Sequence, residues 1–527
     1  MGNKWIAGAL LAWLGLGGVP ALAEPAMEQV PARRAGEGEG PYPKLVIRGA
    51  MMVPGDGGPP RGPVDIVVEG NRIAGIALAG PPGTPLKPDR EPRGATREID
   101  ATGMWVLPGL IDTHGHNGDL EKAPNASYGY KLWLAHGVTS VRGVSFYDDP
   151  ARDLADRRQS RANAIVAPRL FPYVVLGNWP SGAVDTPARA RAFAAWAAKQ
   201  GFDGIKFFNG DPPEATKAAI TEARRLGLGT VAHLSQLGVA RFNARDAGAA
   251  GLGSITHFYG HFESLLKDRR IQTLTPDYNY ADEQDRFGDF ANLVDQIVEP
   301  GGPEWNAYLR EQLANGIIFN PTFNIYSASR DLMRARNADW HAKYTLPSLM
   351  NYFAPGREKH GSYWFDWTTA REVQWRRFYV PYMRLMNDYK NMGGIVTAGS
   401  DPGYIYQPWG FAYIGELEML QEAGFSPLEV IQSATWNGAV EIYRPKGQEP
   451  PIGLLAPGKL ADLIIVPENP LQNLKTLYGT GFEKLGPDGK VQRVGGVKYT
   501  IKDGIVYDAP RLLEDVAAMV AAKKAAN

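Results

Sequence analysis

Between about residue 107 and residue 443 the chain alternates short, continuously apolar runs with longer stretches of helical periodicity. The apolar runs are GLIDTHGH, GVTSVRGVSF, RLFPYVVLG, GFDGIKFFNG, GTVAHL, GSITHFYG, GIIFNPTFN and GGIVTAGSDPG, eight in all. Uninterrupted apolar character predicts parallel strands buried on both faces. Helical patterns such as TPARARAFAAWAAKQG and PPEATKAAITEARRLG lie between them, each closed by glycine. Eight strands alternating with helices predict a (β/α)₈ TIM barrel, an α/β fold. Two inter-strand insertions, 258–315 and 326–391, are long and rich in Trp, Tyr, Phe, Arg and Asp. Loops of that size over the C-terminal face of a barrel shape substrate pockets.

Outside this region the pattern changes to β-like segments. They are KLVIRGAMMV, VDIVVEGNRIAGIAL with a Gly70-Asn71 turn, TREIDATGMWVLP, and later ADLIIVPENP and GKVQRVGGVKYTIKDGIVYD. The predicted organisation is a leader over 1–23, a flexible lead-in over 24–43, and β-rich material over 44–106. The barrel follows over 107–445, and 446–527 holds the second β-rich part with a C-terminal helix. No internal repeat of fixed period is present.

Composition narrows the setting. Lys+Arg and Asp+Glu are both 56, so the formal charge is zero and nothing points to nucleic acid or an anionic membrane as partner. The first residues, MGNKWIAGALLAWLGLGGVPALA, combine a lysine, an apolar run and a small-x-small end. That is the layout of a secretory signal peptide cut between Ala23 and Glu24, which implies a periplasmic or secreted protein. The run is short and glycine-broken for a stable membrane span, and no other segment is apolar enough to cross a bilayer. Cysteine is absent, so an exported chain would hold together without disulfides.

Histidine is scarce, with 8 in 527 residues, yet two stand one residue apart at the end of the first apolar run. Residues i and i+2 of a strand share a face, so Asp112, His114 and His116 point the same way. Alone, that spacing fits a metal or a packed strand end equally well. His233 ends the fifth strand, His257 the sixth and Asp401 the eighth, while Lys206 lies in the fourth. Strand ends of a parallel barrel converge on its C-terminal rim, where catalytic groups collect, and the cluster then reads as a metal site.

These motifs carry a family resemblance over nearly the whole chain after residue 23. LVIRGAMMVPGDGGPP, VLPGLIDTHGH, GVTSVRG, GFDGIKFF, VAHLS, SITHFYG, TAGSDPG, VIQSATWNGAVEIY and GLLAPGKLADLIIV follow in order. The sequence resembles the amidohydrolase superfamily, in particular secreted members similar to imidazolonepropionases and prolidase-like peptidases. The resemblance implies that the flanking β segments pair into a small β-sandwich beside the barrel. It implies one divalent metal held by His114, His116 and Asp401 and a second held by His233 and His257, with zinc the default. Lys206 would bridge them as a carboxylated lysine, because an ammonium has no lone pair and repels cations. A water between two cations would give a hydroxide nucleophile, with Asp401 as general base and then acid.

The function expected on this resemblance is hydrolysis of an amide or peptide-like C–N bond in a dipeptide or N-acyl amino acid. Lactone, ester or cyclic-amide hydrolysis is the alternative on the same site. A mononuclear deaminase fits less well, since Gln236 stands where such relatives carry a glutamate. A non-catalytic binding protein would lack a ligand, and none of the six positions is missing. Arg142, Tyr259 and His261 are candidate substrate contacts: Arg142 could instead support the rim, and Tyr259 could simply be packed. Asp112 could orient an imidazole or be satisfied by backbone N–H groups. His136 reads as structural at a helix C-terminus, and His341 and His360 have no visible partners. The aromatic-rich second insertion suits an apolar pocket or a lid packed on its own rings. The expected partner is a small molecule or short peptide, with a homo-oligomer left open.

Overall fold

The computed structural model describes residues 27–80, 91–119, 121–144, 149–208, 210–356 and 360–526. The leader over 1–23 lies outside the described residues. Seven parallel strands form the central sheet: β1 (Leu110–Gly115), β2 (Val138–Val144), β3 (Arg169–Val175), β4 (Gly204–Phe208), β5 (Gly229–His233), β6 (Ser254–Thr256) and β7 (Ile318–Asn320). They pair in sequence order, each with the next. β1 and β2 are buried along their whole length, as the unbroken apolar runs predicted.

The eighth run closes the ring without forming a ladder. On one side Phe319 donates its N–H to Ile395 O and accepts from Thr397 N–H, each at 3.0 Å. On the other side Thr113 N–H donates to Ala398 O at 3.0 Å, so the segment bridges β7 back to β1. Its backbone passes too close for a side chain at Gly399, where a Cβ would meet Asn320 Oδ1 at 2.6 Å and His114 Cβ at 2.7 Å. The sequence prediction of eight strands thus becomes seven strands and one bridging segment.

Helices Pro187–Gln200 and Pro213–Arg225 stand where the periodicity predicted them, both opened by proline at the first turn. The β-rich flanks pair with each other in one eight-stranded mixed sheet. Its order is Ile505–Asp508, Tyr499–Lys502, Leu463–Val466, Trp105–Pro108, Leu45–Met52, Arg61–Glu69 and Arg72–Leu78, with Arg97–Asp100 also on Leu45–Met52. Its own apolar core includes Leu45, Ile47, Ile66, Leu463, Ile465 and Ile501. Trp105–Pro108 ends two residues before β1, which ties this sheet directly to the first barrel strand. Helix Ala509–Ala526 packs on helix Ser127–Ala135.

The lead-in is docked from residue 27 onward, contrary to the flexible segment that its Pro, Gly and charge content predicted. Glu28 N–H donates to Pro124 O (2.9 Å), Arg33 N–H to Ala164 O (2.7 Å) and Glu39 N–H to Val506 O (2.9 Å). The buried Lys131 ammonium sits between Glu37 (2.9 Å) and Asp515 (2.5 Å). Glu37, a charge of the predicted linker, is an ion-pair partner of a barrel helix.

The insertions are helical. Helix Thr369–Asn391 buries Trp375, Phe378, Tyr379, Tyr382 and Tyr389. These rings meet those of the first insertion, with Phe262 and Phe378 at 4.8 Å and Phe258 and Phe378 at 5.3 Å between centroids. The aromatic density therefore builds a lid packed on itself. Among the described residues no helix is long and apolar enough to cross a membrane.

Candidate metal centre

β1 delivers His114 and His116 to the rim with their Nε2 atoms 3.3 Å apart. Asp401 Oδ1 lies 3.6 Å from His114 Nε2 and 3.3 Å from His116 Nε2. Its other oxygen, Oδ2, lies 3.7 Å from His257 Nε2. His114, His257 and Asp401 form a group that could hold a metal ion, each offering one ligand atom within 4.8 Å of the others. The group therefore joins His257 to ligands that the resemblance had divided between two metals. The His233 ring stands 4.6 Å from the His257 ring, between Phe208 and a stacked Tyr259, both at 4.7 Å.

Backbone geometry at the rim is unusual. His257, Thr322 and Asp401 all have left-handed φ values, of 66°, 49° and 48°. Non-glycine residues rarely adopt this region, and such strain concentrates at functional sites. Each position is pinned. His257 N–H donates to Asn320 O, and Asp401 N–H donates to His114 O, both at 2.9 Å. The His257 Nδ1 is 2.5 Å from Thr322 Oγ1, an arrangement that turns Nε2 toward Asp401.

The donor chemistry suits a divalent cation. Burial holds His114, His233 and His257 well below the usual imidazole range, and neighbouring cationic groups push the same way. These rings are therefore neutral at physiological pH, and a neutral imidazole has one ring nitrogen free to bind a cation. Lys206 is buried in β4, its Nζ 3.5 Å from Thr256 Oγ1. Burial pushes its amine down to about 7, opposed by Asp401 and reinforced by Arg142. A neutral amine is what carboxylation would need.

Other candidates fall away from the centre. Asp112 Oδ1 accepts from the backbone N–H of His114 (3.1 Å) and of Ser400 (3.0 Å), and Oδ2 accepts from Trp133 Nε1 (3.0 Å). It thus ties the end of β1 to the eighth segment and does not orient an imidazole. Arg142 is fully buried inside the barrel, bonded to Thr113 O (2.6 Å), Ser254 Oγ (3.0 Å) and Glu441. Its Nη1 faces Glu441, an arrangement that fits the supporting role, the other of the two expected for it. His261 is buried, with Nδ1 on Tyr308 Oη at 2.6 Å and its ring 4.3 Å from Phe319. Tyr259 is packed on His233, and its hydroxyl accepts from Tyr326 Oη at 3.2 Å. His136 and His341 are structural, held by Leu132 O (2.8 Å) and Ala335 O (2.9 Å). His360 bridges the insertions through Glu283 (2.9 Å).

The Arg142–Glu441 pair makes a direct prediction. Arg142→Met should lower stability by about 3–5 kcal/mol, since it strands a buried carboxylate. The double change with Glu441→Leu should recover much of the loss in thermal denaturation. A rise in KM with unchanged Tm would restore the substrate-contact role.

Residues 383–506 match the model of the amidohydrolase family. An N-acyl-D-aspartate deacylase from Alcaligenes xylosoxydans xylosoxydans is 29% identical over 150 residues, 27% of this chain and 26% of that protein. The chain thus spans about a quarter of that curated relative's length. Two solved structures share the fold: a Xaa-Pro dipeptidase with bound methionine (TM-score 0.56, 19% identity, 88% of this chain and 100% of that one); and bottromycin amidohydrolase (TM-score 0.58, 20% identity, 90% of each chain). The family match thus covers about a quarter of the chain, and the solved structures share the barrel fold that carries the rim of histidines.

Sequence reasoning missed Thr322 and Tyr326. Each acts through contacts made by the segment after β7, and no spacing along the chain announces them.

Proposed function

We propose that the chain is a metal-dependent hydrolase of amide or peptide-like C–N bonds, acting on dipeptides or N-acyl amino acids. The observation that carries this reading is the convergence of the His114, His116 and His257 imidazoles on one buried carboxylate, Asp401. His114, His116, His257 and Asp401 would hold one divalent cation, and His233 with carboxylated Lys206 would complete a second site. Bound cations would acidify a water and polarise the scissile carbonyl. Asp401 would take the proton from the attacking water and return it to the leaving amine. Asp112 and Thr322 keep this constellation in register from behind. The proposed setting is outside the cytoplasm, after removal of residues 1–23.

Metal analysis and a substrate screen test the reading. Two zinc-like ions per chain are expected, with amino-acid release from dipeptides or N-acyl amino acids. One ion or none would overturn the binuclear site, and turnover confined to lactones would select the ester alternative.

A further inference from the structure

We propose that Glu416 is a positioning residue for this centre: it anchors the left-handed turn at Thr322 from which the threonine hydroxyl fixes the His257 ring. Its metal-affinity consequence rests on the reading above; the ring orientation does not.

β7 ends at Asn320, and the chain must reverse there to begin the short helical turn Phe323–Tyr326. Thr322 makes the reversal at φ 49°, which a β-branched residue holds only when its surroundings insist. The anchor on the far side is Glu416, fully buried on helix Phe411–Glu422. Its Oε2 accepts from Asn324 N–H at 2.7 Å, and the Phe323 N–H acts on the same carboxyl. These are the first free donors of the turn that Thr322 opens. Close approach is allowed by Gly415, where a Cβ would lie 2.6 Å from Asn324 Oδ1. Asn324 Nδ2 bonds Gln407 Oε1 at 2.6 Å, while Tyr379 and Tyr382 donate to Phe323 O and Pro321 O. The tyrosines hold carbonyls, but the turn's amide donors rest on Glu416. Without that acceptor the turn relaxes toward right-handed backbone, Thr322 Oγ1 withdraws, and His257 Nδ1 loses its partner at 2.5 Å. Orientation of a metal-binding imidazole through its second nitrogen commonly changes metal affinity by 10–100-fold.

The test compares Glu416→Leu, Glu416→Gln and Thr322→Val in the full-length protein. Histidine-selective ¹⁵N spectra of the metal-free protein report the His257 tautomer, and zinc affinity is read by chelator competition. Glu416→Leu, folded by circular dichroism, should lose the single-tautomer His257 signal and bind zinc at least ~10-fold more weakly. Glu416→Gln keeps an acceptor oxygen and should retain both properties. Thr322→Val should reproduce the leucine variant, and the double variant should add nothing further. A folded Glu416→Leu protein with unchanged His257 signals and zinc affinity overturns the proposal. If that variant does not fold, wild-type His257 signals in Thr322→Val overturn it equally. A wild-type chain that binds no zinc, yet whose His257 signal responds as described, sinks the metal reading and leaves the positioning role standing.

Discussion

Replacing Asp401 by asparagine is expected to lower kcat by about 10³-fold while the protein stays folded. Asn preserves the shape and one oxygen, and the Asp401 backbone N–H still bonds His114 O at 2.9 Å. What it removes is the carboxylate that lies near three imidazoles, and with it a group able to take and return a proton. Losing a positioned acid–base typically costs 10²–10⁴-fold. The check pairs steady-state kinetics on any substrate found in the screen with thermal denaturation. Unchanged kcat would remove Asp401 from the chemistry. Lost kcat with a collapsed Tm would make its role structural.

Lys206→Ala should produce the second large effect, a loss of one metal equivalent together with most of the activity. The Lys206 amine is buried beside the imidazoles, and burial pushes it down to about 7, so neutral amine is abundant at physiological pH. Attack of that amine on CO₂, with loss of its proton, would form a carbamate, an anionic group able to hold cations. The alanine variant leaves space for a small carboxylic acid, so acetate or propionate should partly restore activity and metal content. Native mass spectrometry of the wild type should show an added CO₂ that disappears in the variant. A full metal complement in Lys206→Ala would show that the amine is no ligand.

The barrel and most of the centre were legible because their signals are local. Buried parallel strands read as continuous apolar runs, and His114 and His116 share a face through the two-residue period of a strand. His233, His257 and Asp401 were placed because each follows such a run, and parallel strands bring their C-terminal ends together. Arg142 is ambiguous by the same signal: a strand end fits either a substrate contact or support, and its side chain turns inward to Glu441. The lead-in misled through composition. Its Glu37 resembles solvated linker until the buried Lys131 is seen to receive it.

By itself the sequence determined the fold class, the seven ladder strands and the identity of the metal-site candidates, since period and burial are written in neighbouring residues. Tertiary structure alone decided how those groups meet. It joined His257 to the His114–Asp401 pair, left the eighth segment as a bridge, and made Thr322 and Glu416 part of the support. These outcomes depend on contacts between residues far apart in the chain and on left-handed backbone at three non-glycine positions. Such backbone is unfavourable locally and persists only where the packed surroundings hold it, so no local pattern can announce it.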